Sequence, residues 1–422
     1  MTILLYAWDY GENQGHSVRD LRFDLQYGRL STSYFVLKKG SEGLYKNVKS
    51  DRMLHAPPLT TPSMTQKPGG MAEILLKLEA MDPQNIAKRV RGWLEIIDET
   101  KPSLVIYNYS PLAAIAAYIR GIPVLPIGTP FELSFFQHPM PLWDNTSFNF
   151  DAEYLYVVNK TLEAHGAKTI KRTIELCGKG GEEGVFLNCM PWMDPFREDR
   201  SVVRQYVGTS IVDYGKEMTW QSEQNVRKVF VYLNGENSSS IKILNVLNST
   251  WWDDRCPIET IAYCPSLSKE QKKSLGRIRF SDVPVSLGPL WMDMALAIST
   301  GGTTLYKAVE MAVVSVGVPT HQEQEMVAQQ LFKNGIGSII YSHLTGAAIR
   351  ECLYVYLKKE AAYNEAIKRL RLLNDKADDR VFMGRRRLEM FLLNLGLKIP
   401  VAKPEYNPRE DVKFFVEDVL EL

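Results

Sequence analysis

Short apolar runs alternate along the chain with longer segments of helical periodicity, and glycine, proline or small polar residues mark the junctions. Residues 2–7 carry β-branched and aromatic side chains and predict a strand. A polar loop between Gly11 and His16 follows, then a helix over 17–25 and a strand over 34–37. Residues 50–70, rich in proline and threonine, predict a long loop of the kind used as a lid or binding loop. Helices are predicted over 71–80 and 83–99, a strand over 103–107, an alanine-rich helix up to Arg120, and a strand over 122–127. Residues 135–149 are aromatic and proline-containing with little periodicity, which fits either a binding loop or a packed surface loop. Helical character returns over 154–177 with a break at Gly166, followed by a flexible turn over 178–184 and a strand over 185–190. A second series begins at Lys228. Strands over 228–233, 259–264, 277–280, 295–298, 312–318 and 337–341 alternate with helical segments, and a last helix is predicted over 409–420.

The repeated strand–loop–helix rhythm predicts an α/β chain with two doubly wound sheets. A length of 422 residues accommodates two domains. They are drawn at 1–215 and 228–400, with a linker over 216–227 and a tail over 401–422. Charge changes the picture mainly by exclusion. Fifty basic against 49 acidic side chains leave no bulk footprint for nucleic acid. Arg385, Arg386 and Arg387 form the one compact basic cluster, read as a solvated helix face. Cys177, Cys189, Cys256, Cys264 and Cys352 are odd in number and lack CxxC spacing, which argues against a disulfide framework or zinc site and fits a cytoplasmic protein. The chain shows no signal peptide or membrane span, and leaves peripheral membrane contact open.

The candidate chemistry is densest over 296–331. A buried strand ends at Ser299-Thr300, and Gly301-Gly302-Thr303-Thr304 open a helix. Bare glycines let the backbone approach a ligand, and free N–H groups at a helix start favour phosphate. A second strand ends at Pro319, followed by the polar cluster His321-Gln322-Glu323-Gln324. Ligands of open α/β sheets bind at such strand ends. An ordinary βαβ turn has the same local pattern, so the glycine pair alone does not decide.

These segments resemble the donor signature of the UDP-glucuronosyltransferase-like family of nucleotide-sugar glycosyltransferases. The resemblance rests on Ser299 to Thr304 and on Pro319, Glu323, Gln324 and Ala328. It extends to the first half of the chain. Gly11 to His16 with Arg19 is similar to the Gly-x-Asn-x-Gly-His-x-x-Arg start of bacterial members. Tyr109-Ser110-Pro111 and Gly128-Thr129-Pro130-Phe131-Glu132-Leu133 are similar to two further family motifs. The resemblance implies a GT-B fold: two Rossmann-like lobes facing a cleft, acceptor on the first, donor on the second, the tail returning to the first lobe. It implies His16 as the base and Asn108 at the place of its carboxylate partner. It implies donor contacts from Asn237, Ser238, Thr300, Gly301, Gly302, Thr303, Thr304, Lys307, Glu323 and Gln324, and acceptor contacts from Asn13, Phe131 and Glu132. This chain departs from the family at three places: Thr300 replaces a histidine, Asn108 an aspartate, and Lys307 or Ala308 a glutamate.

Inverting sugar transfer needs a base near neutrality, which histidine supplies, and charge stabilisation for the leaving diphosphate. Asn108 can orient an imidazole but carries no charge, so Asp9, Glu12 and Glu132 are the alternative carboxylates. The reading is therefore an inverting glycosyltransferase without metal or other cofactor, using a UDP- or TDP-sugar as co-substrate. Its acceptor is a small molecule, lipid or glycan precursor. The competing readings are a catalytically weakened binding protein with an altered donor site, and a nucleotide-sugar epimerase. A nucleic-acid acceptor is disfavoured by the charge balance, and oligomeric state is not encoded in any pattern found.

Overall fold

The structure is a computed structural model that describes residues 2–11, 14–45, 48–59, 68–79, 82–143, 148–209, 215–222, 225–233 and 238–397. Glu12, Asn13, Asn237 and the tail with its expected helix lie outside the described residues. The chain divides into two compact units. The first holds Met1–Asn188, Phe196–Val207 and the described residues from Arg380 on; the second holds Cys189–Pro195 and Gly208–Asp379. The sequence-drawn domains put 189–195 in the first half and 380–397 in the second. The second of these differences arises because Glu360–Asn394 is one continuous helix of 35 residues divided between the two units at 379/380.

In the first unit, strands β1 (Ile3–Trp8), β2 (Thr32–Leu37), β3 (Met53–His55), β4 (Leu104–Asn108) and β5 (Val124–Leu125) form a parallel sheet in the order β3-β2-β1-β4-β5. Leu4 to Trp8 and Leu104 to Asn108 are almost completely buried, as expected for central parallel strands covered on both faces. The covering helices start and stop on sequence-encoded signals. In the helix Pro83–Thr100, the Asp82 carboxylate accepts from the Gln84 N–H at 2.9 Å, Pro83 occupies the first turn, and Lys101 ends it in a left-handed conformation. The helix Pro111–Ile119 is buried from Pro111 through Ala117, its alanines permitting close packing on the sheet.

Four local expectations are corrected. The loop over 50–70 contains an edge strand, β3, whose three residues are too few to show a period. The run over 122–127 is two strands, because Pro126 cannot donate to a ladder. β5 stays in the main sheet, while β6 (Ile127–Gly128) joins β7 (Val185–Leu187) and β8 (Arg204–Tyr206) in a small parallel sheet. The Pro126 carbonyl instead accepts from Phe186 N–H at 2.8 Å. The turn over 178–184 contains a short helix, Lys179–Glu182. Within 135–149, Phe135 and Phe136 are wholly buried on a tight turn, Glu132–Phe136, so that part of the segment is core.

In the second unit, β9 (Arg227–Tyr232), β10 (Ile258–Tyr263), β11 (Ile278–Ser281), β12 (Met294–Ser299), β13 (Ser315–Gly317) and β14 (Gly337–Ile339) run parallel in the order β11-β10-β9-β12-β13-β14. Val229, Val231, Ile298 and Val316 pack with Ile243, Ile349 and Leu353 of the covering helices in one core. In both units the strand order reverses beside the first strand: between β1 and β4, and between β9 and β12. Loops leaving such a neighbouring pair diverge to opposite faces and leave a crevice at the carboxyl ends of the strands.

Candidate functional site

The crevice of the first unit collects residues from three strand ends. Trp8 closes β1 and Asn108 closes β4. His16 lies on the helix Gln14–Phe23 that leaves β1, and Glu132 follows β6. His16 Nδ1 is 2.7 Å from Asn108 Oδ1, and Asn108 Nδ2 donates to the His16 carbonyl at 3.1 Å. Arg19 donates to both Asn108 Oδ1 and Glu132 Oε2. Glu132 Oε1 lies 3.5 Å from His16 Nδ1, and Glu132 Oε2 accepts the Thr129 N–H at 2.9 Å. The Trp8 indole stacks on the imidazole, centroids 5.2 Å apart at 17°.

This arrangement sets the tautomer. Asn108 Oδ1 is an acceptor, so His16 Nδ1 carries the hydrogen and Nε2 the lone pair. Nε2 faces Gly11, where a Cβ would come within 2.5 Å of it and where φ is +84°. Glycine at this position lets the backbone lie close against the imidazole without a clash. Burial pushes the His16 pKa down to about 4; Glu132 and the Asn108 hydrogen bond resist that shift, and Arg19 adds to it. The imidazole is neutral at pH 7. Burial alone would raise the Glu132 pKa, but Arg19, His16 and the Thr129 N–H outweigh it and hold the carboxyl below its usual range.

Of the alternative carboxylates, Glu132 reaches His16 and Asp9 does not. Asp9 pairs with Arg89 and accepts from Trp93 Nε1 at 3.2 Å, inside a buried group that includes Glu79 and Tyr10. Glu132 was expected at the acceptor; its oxygens are instead engaged by Arg19, His16 and Thr129. Phe131 is buried, its ring between Tyr109 at 6.2 Å and Trp143 at 5.1 Å. Sequence reasoning missed Trp8 and Asp20. Asp20 stands one helical turn past His16 and is buried, with Oδ2 lacking a hydrogen-bond partner among the described residues. Burial lifts its pKa to about 7 against the pull of Arg19 and a hydrogen bond with Asn108. The i, i+3, i+4 spacing of His16, Arg19 and Asp20 was the available signal.

In the second unit, Thr300 N–H donates to the Tyr232 carbonyl at 3.1 Å, which ties the end of β12 to the end of β9. Gly301 (φ +128°) turns the chain, and the helix Gly302–Glu310 begins with Gly302, Thr303 and Thr304 at its amino end. A Cβ on Gly301 would meet Gln324 Cγ at 3.0 Å, so the glycine turn and Gln324 are neighbours. Gln324 Oε1 accepts from Thr320 N–H and Oγ1, both at 2.9 Å, which orients its amide. Glu323 stands beside it in the first turn of the helix Gln322–Lys333, and Ser238 opens the helix after β9. Lys307 departs from expectation. Its Nζ lies 5.9 Å from the Trp291 ring, in the segment that leads into the start of β12. The helix runs back along the sheet and carries Lys307 away from the glycine turn, about 7.5 Å along its axis from Gly302.

Among the described residues no group of three or more His, Cys, Asp or Glu side chains could hold a metal, and no helix is long and apolar enough to cross a membrane. No family model and no curated protein matches this chain. Solved structures do. The glycosyltransferase of kitacinnamycin is similar over 94% of this chain and 99% of its own, at 14% identity and TM-score 0.60. The spinosyn rhamnosyltransferase SpnG covers 92% of this chain and 100% of its own at 13% identity and TM-score 0.61. The glycosyltransferase VinC, solved with dTDP, covers 92% and 100% at 14% identity and TM-score 0.58. The chain has the GT-B fold that these proteins share.

Proposed function

We propose that the chain is an inverting glycosyltransferase of the UDP-glucuronosyltransferase-like kind. It moves a sugar from a nucleoside-diphospho-sugar to an acceptor hydroxyl, with His16 as the base. The observation that carries this reading is the His16 environment: a neutral imidazole whose Nδ1–H is committed to Asn108, which leaves the lone pair on Nε2 to take a proton. An acceptor hydroxyl placed there loses its proton to Nε2 while its oxygen bonds to the anomeric carbon. The bond from that carbon to the diphosphate breaks on the opposite side, and the nucleoside diphosphate leaves with the electron pair. The imidazolium so formed faces the Glu132 carboxylate at 3.5 Å. Charge on the leaving group is met by the amino end of the helix at Gly302, Thr303 and Thr304, helped by the two threonine hydroxyls. Ser238, Glu323 and Gln324 complete the donor contacts, and the scheme calls for no cofactor.

SpnG has been solved with thymidine diphosphate and with the spinosyn aglycone, and VinC with dTDP. That supports a TDP-sugar as donor and a small-molecule acceptor; a UDP-sugar donor, a lipid or glycan-precursor acceptor and a cytoplasmic location belong to the proposal on the sequence reading alone. The position of Lys307 favours one second reading, a glycosyltransferase-like binding protein with weakened catalysis. The two separate on one experiment: thermal shift with UDP, TDP, GDP, ADP and CMP, then turnover with the matching sugar donors. A ligand that binds only the folded state raises the melting temperature. His16→Ala is expected to keep the nucleotide-induced shift and to lower turnover by roughly two or more orders of magnitude. Unaltered turnover would remove His16 from the mechanism, and no shift with any nucleotide would favour the binding-protein reading.

A further inference from the structure

His16, Asp20 and Asp24 follow one another at i, i+4, i+8 spacing, so one face of the first helix lays three titratable side chains along the sheet. Two of them have evident partners. His16 is bonded to Asn108, and Asp24 Oδ1 accepts from the Tyr6 hydroxyl at 3.1 Å and from Ser33 Oγ. Asp20 lies between them, 2% exposed, with Oδ2 unbonded among the described residues. A neutral side chain would fill this place between helix and sheet without burying a half-bonded carboxyl. A buried carboxyl of this kind beside a reactive histidine points to a use for its charge.

Asn108 is where Asp20 meets the His16 chemistry. A carboxamide offers two N–H donors and an oxygen with two lone pairs. The Asn108 oxygen accepts from His16 Nδ1 at 2.7 Å and from Arg19. One hydrogen on Nδ2 goes to the His16 carbonyl at 3.1 Å, and Asp20 accepts the other. Every bonding position of this fully buried amide is therefore used. Turned over, the amide would aim its NH2 at the Arg19 donor. Its oxygen would then face the His16 carbonyl and the Asp20 carboxylate. The two acceptors on Nδ2 thus keep the oxygen toward Nδ1, and with it the tautomer that leaves the lone pair on Nε2.

The groups that face Asp20 come from four elements. Arg19 and Asp24 are on its own helix, Tyr6 is on β1, Asn108 ends β4, and Glu132 follows β6. Lys38, after β2, acts on His16 rather than on Asp20, and its Nζ donates to the Gly11 carbonyl at 2.7 Å. Arg19 and Glu132 are paired and offset each other. An ionised Asp20 then leaves this inner group one negative charge while the imidazole is neutral, and balances it when His16 takes a proton.

We propose that Asp20 is a positioning residue for sugar transfer that acts on His16 through Asn108: it holds the amide oxygen on Nδ1, and its negative charge polarises that amide as the imidazole takes the acceptor proton. Asp20 itself touches no substrate in this scheme, and the inference rests on His16 being the base. A polarised amide oxygen strengthens the bond from Nδ1–H and raises the proton affinity of Nε2. Burial has lifted the Asp20 pKa to about 7, so its charge changes within the range in which an enzyme is assayed. Protonated Asp20 can still accept from Nδ2 through its carbonyl oxygen; only the charge is lost. His16, at about 4, stays neutral over the same range, so a step near pH 7 in its signals belongs to a neighbour.

The test compares the full chain with its Asp20→Asn variant from about pH 5.5 to about pH 8.5, a window that spans the Asp20 titration. The variant is nearly isosteric, can still accept from Asn108, and carries no charge at any pH. The first readout needs no substrate: ¹⁵N-histidine spectra, with the His16 signals identified by their loss in His16→Gln. The wild-type Nδ1–H signal is expected to move through about pH 7, and the Asp20→Asn signal to stay constant. The second readout is kcat/KM. The two proteins are expected to agree at the acid end and to differ by about tenfold at the alkaline end, as for one unit of His16 basicity, while the nucleotide-induced thermal shift stays equal in both. A wild-type signal that does not move near pH 7 overturns the proposal. So does the same step in Asp20→Asn, or a kcat/KM ratio that is constant across the range. Unaltered turnover in His16→Ala would remove the base reading and this proposal together; a His16→Ala defect without the Asp20 signature removes this proposal alone.

Discussion

Replacing Glu132 by glutamine tests whether a carboxylate from outside the expected position supports the base. The change is nearly isosteric, and the amide oxygen can still accept the Thr129 N–H now bonded at 2.9 Å. What is lost is a negative charge 3.5 Å from His16 Nδ1. Two unit charges at that distance interact by about 5 kcal/mol at an effective dielectric of about 20. Arg19 holds the same carboxylate and takes up much of that field, so roughly 2 kcal/mol remains for the imidazolium. That corresponds to a His16 pKa lowered by about 1–2 units from its present value, and to a transfer rate lowered by roughly 10- to 100-fold if most of the proton has moved in the transition state. The assay is kcat/KM with the donor found by the nucleotide panel, beside a ¹⁵N imidazole titration that needs no substrate. Nδ1 should stay protonated in the variant, because Asn108 still accepts from it. A rate within twofold of wild type together with an unmoved titration would refute the assignment of Glu132 as the supporting charge.

Asn108→Asp places a carboxylate 2.7 Å from Nδ1, beside the Arg19 donor, and should raise the His16 pKa from about 4 toward neutrality; the same titration reads it. Gly11→Ala puts a methyl within 2.5 Å of Nε2 and should abolish turnover while the nucleotide-induced thermal shift persists. Thr303→Pro removes one N–H and one hydroxyl from the helix start without breaking the helix, since its first-turn N–H has no intrahelical partner; nucleoside diphosphate affinity should fall about tenfold by calorimetry. Asp20, with its pKa raised from 3.8 to about 7, binds a proton in the folded state that the unfolded state has lost, so its contribution to stability falls as pH rises through that window. Asp20→Asn should therefore gain stability relative to wild type between pH 4 and 7 in urea melts, and an unchanged difference across that range would contradict the shift.

The two-sheet architecture was legible because parallel strands buried on both faces leave continuous apolar runs, as in residues 4–8 and 294–299. The glycine turn and His16 were legible because each lies where a strand hands over to a helix. What was illegible depended on contacts distant in sequence. Pro126 read as the inside of one strand; its missing N–H breaks the ladder, and the arrival of Phe186 on its carbonyl shows which sheet the chain joins next. Lys307 read as a donor contact by resemblance alone, and its approach to the Trp291 ring depends on packing that spacing does not show. Glu132 read both as an acceptor contact and as one of three carboxylates that could partner His16; its commitment to Arg19 needs a pairing across 113 positions. Arg385 read as part of a solvated cluster; it is buried and donates from Nε to the Val207 carbonyl at 2.7 Å, since a helix period marks two faces without saying which one the core takes.

The departures from the family pattern make physical sense together at the first crevice and separately at the second. Around His16, the charge absent at Asn108 is present at Glu132, and Arg19 bonds to both, so one guanidinium aligns the neutral acceptor and the ionised one against the same imidazole nitrogen. Orientation and charge, which a single aspartate would supply at once, are divided between two residues from different strands. The donor crevice shows no such transfer. Thr300 is uncharged, and Lys307 turns toward Trp291 before the amino end of β12, so on the proposed reading a diphosphate would be held by backbone N–H groups and hydroxyls. Those donors are short-ranged and directional where a histidine or lysine would add a long-range field. The proposed function therefore expects catalysis at the first site to survive the altered sequence, and donor affinity at the second to be the quantity most exposed to it.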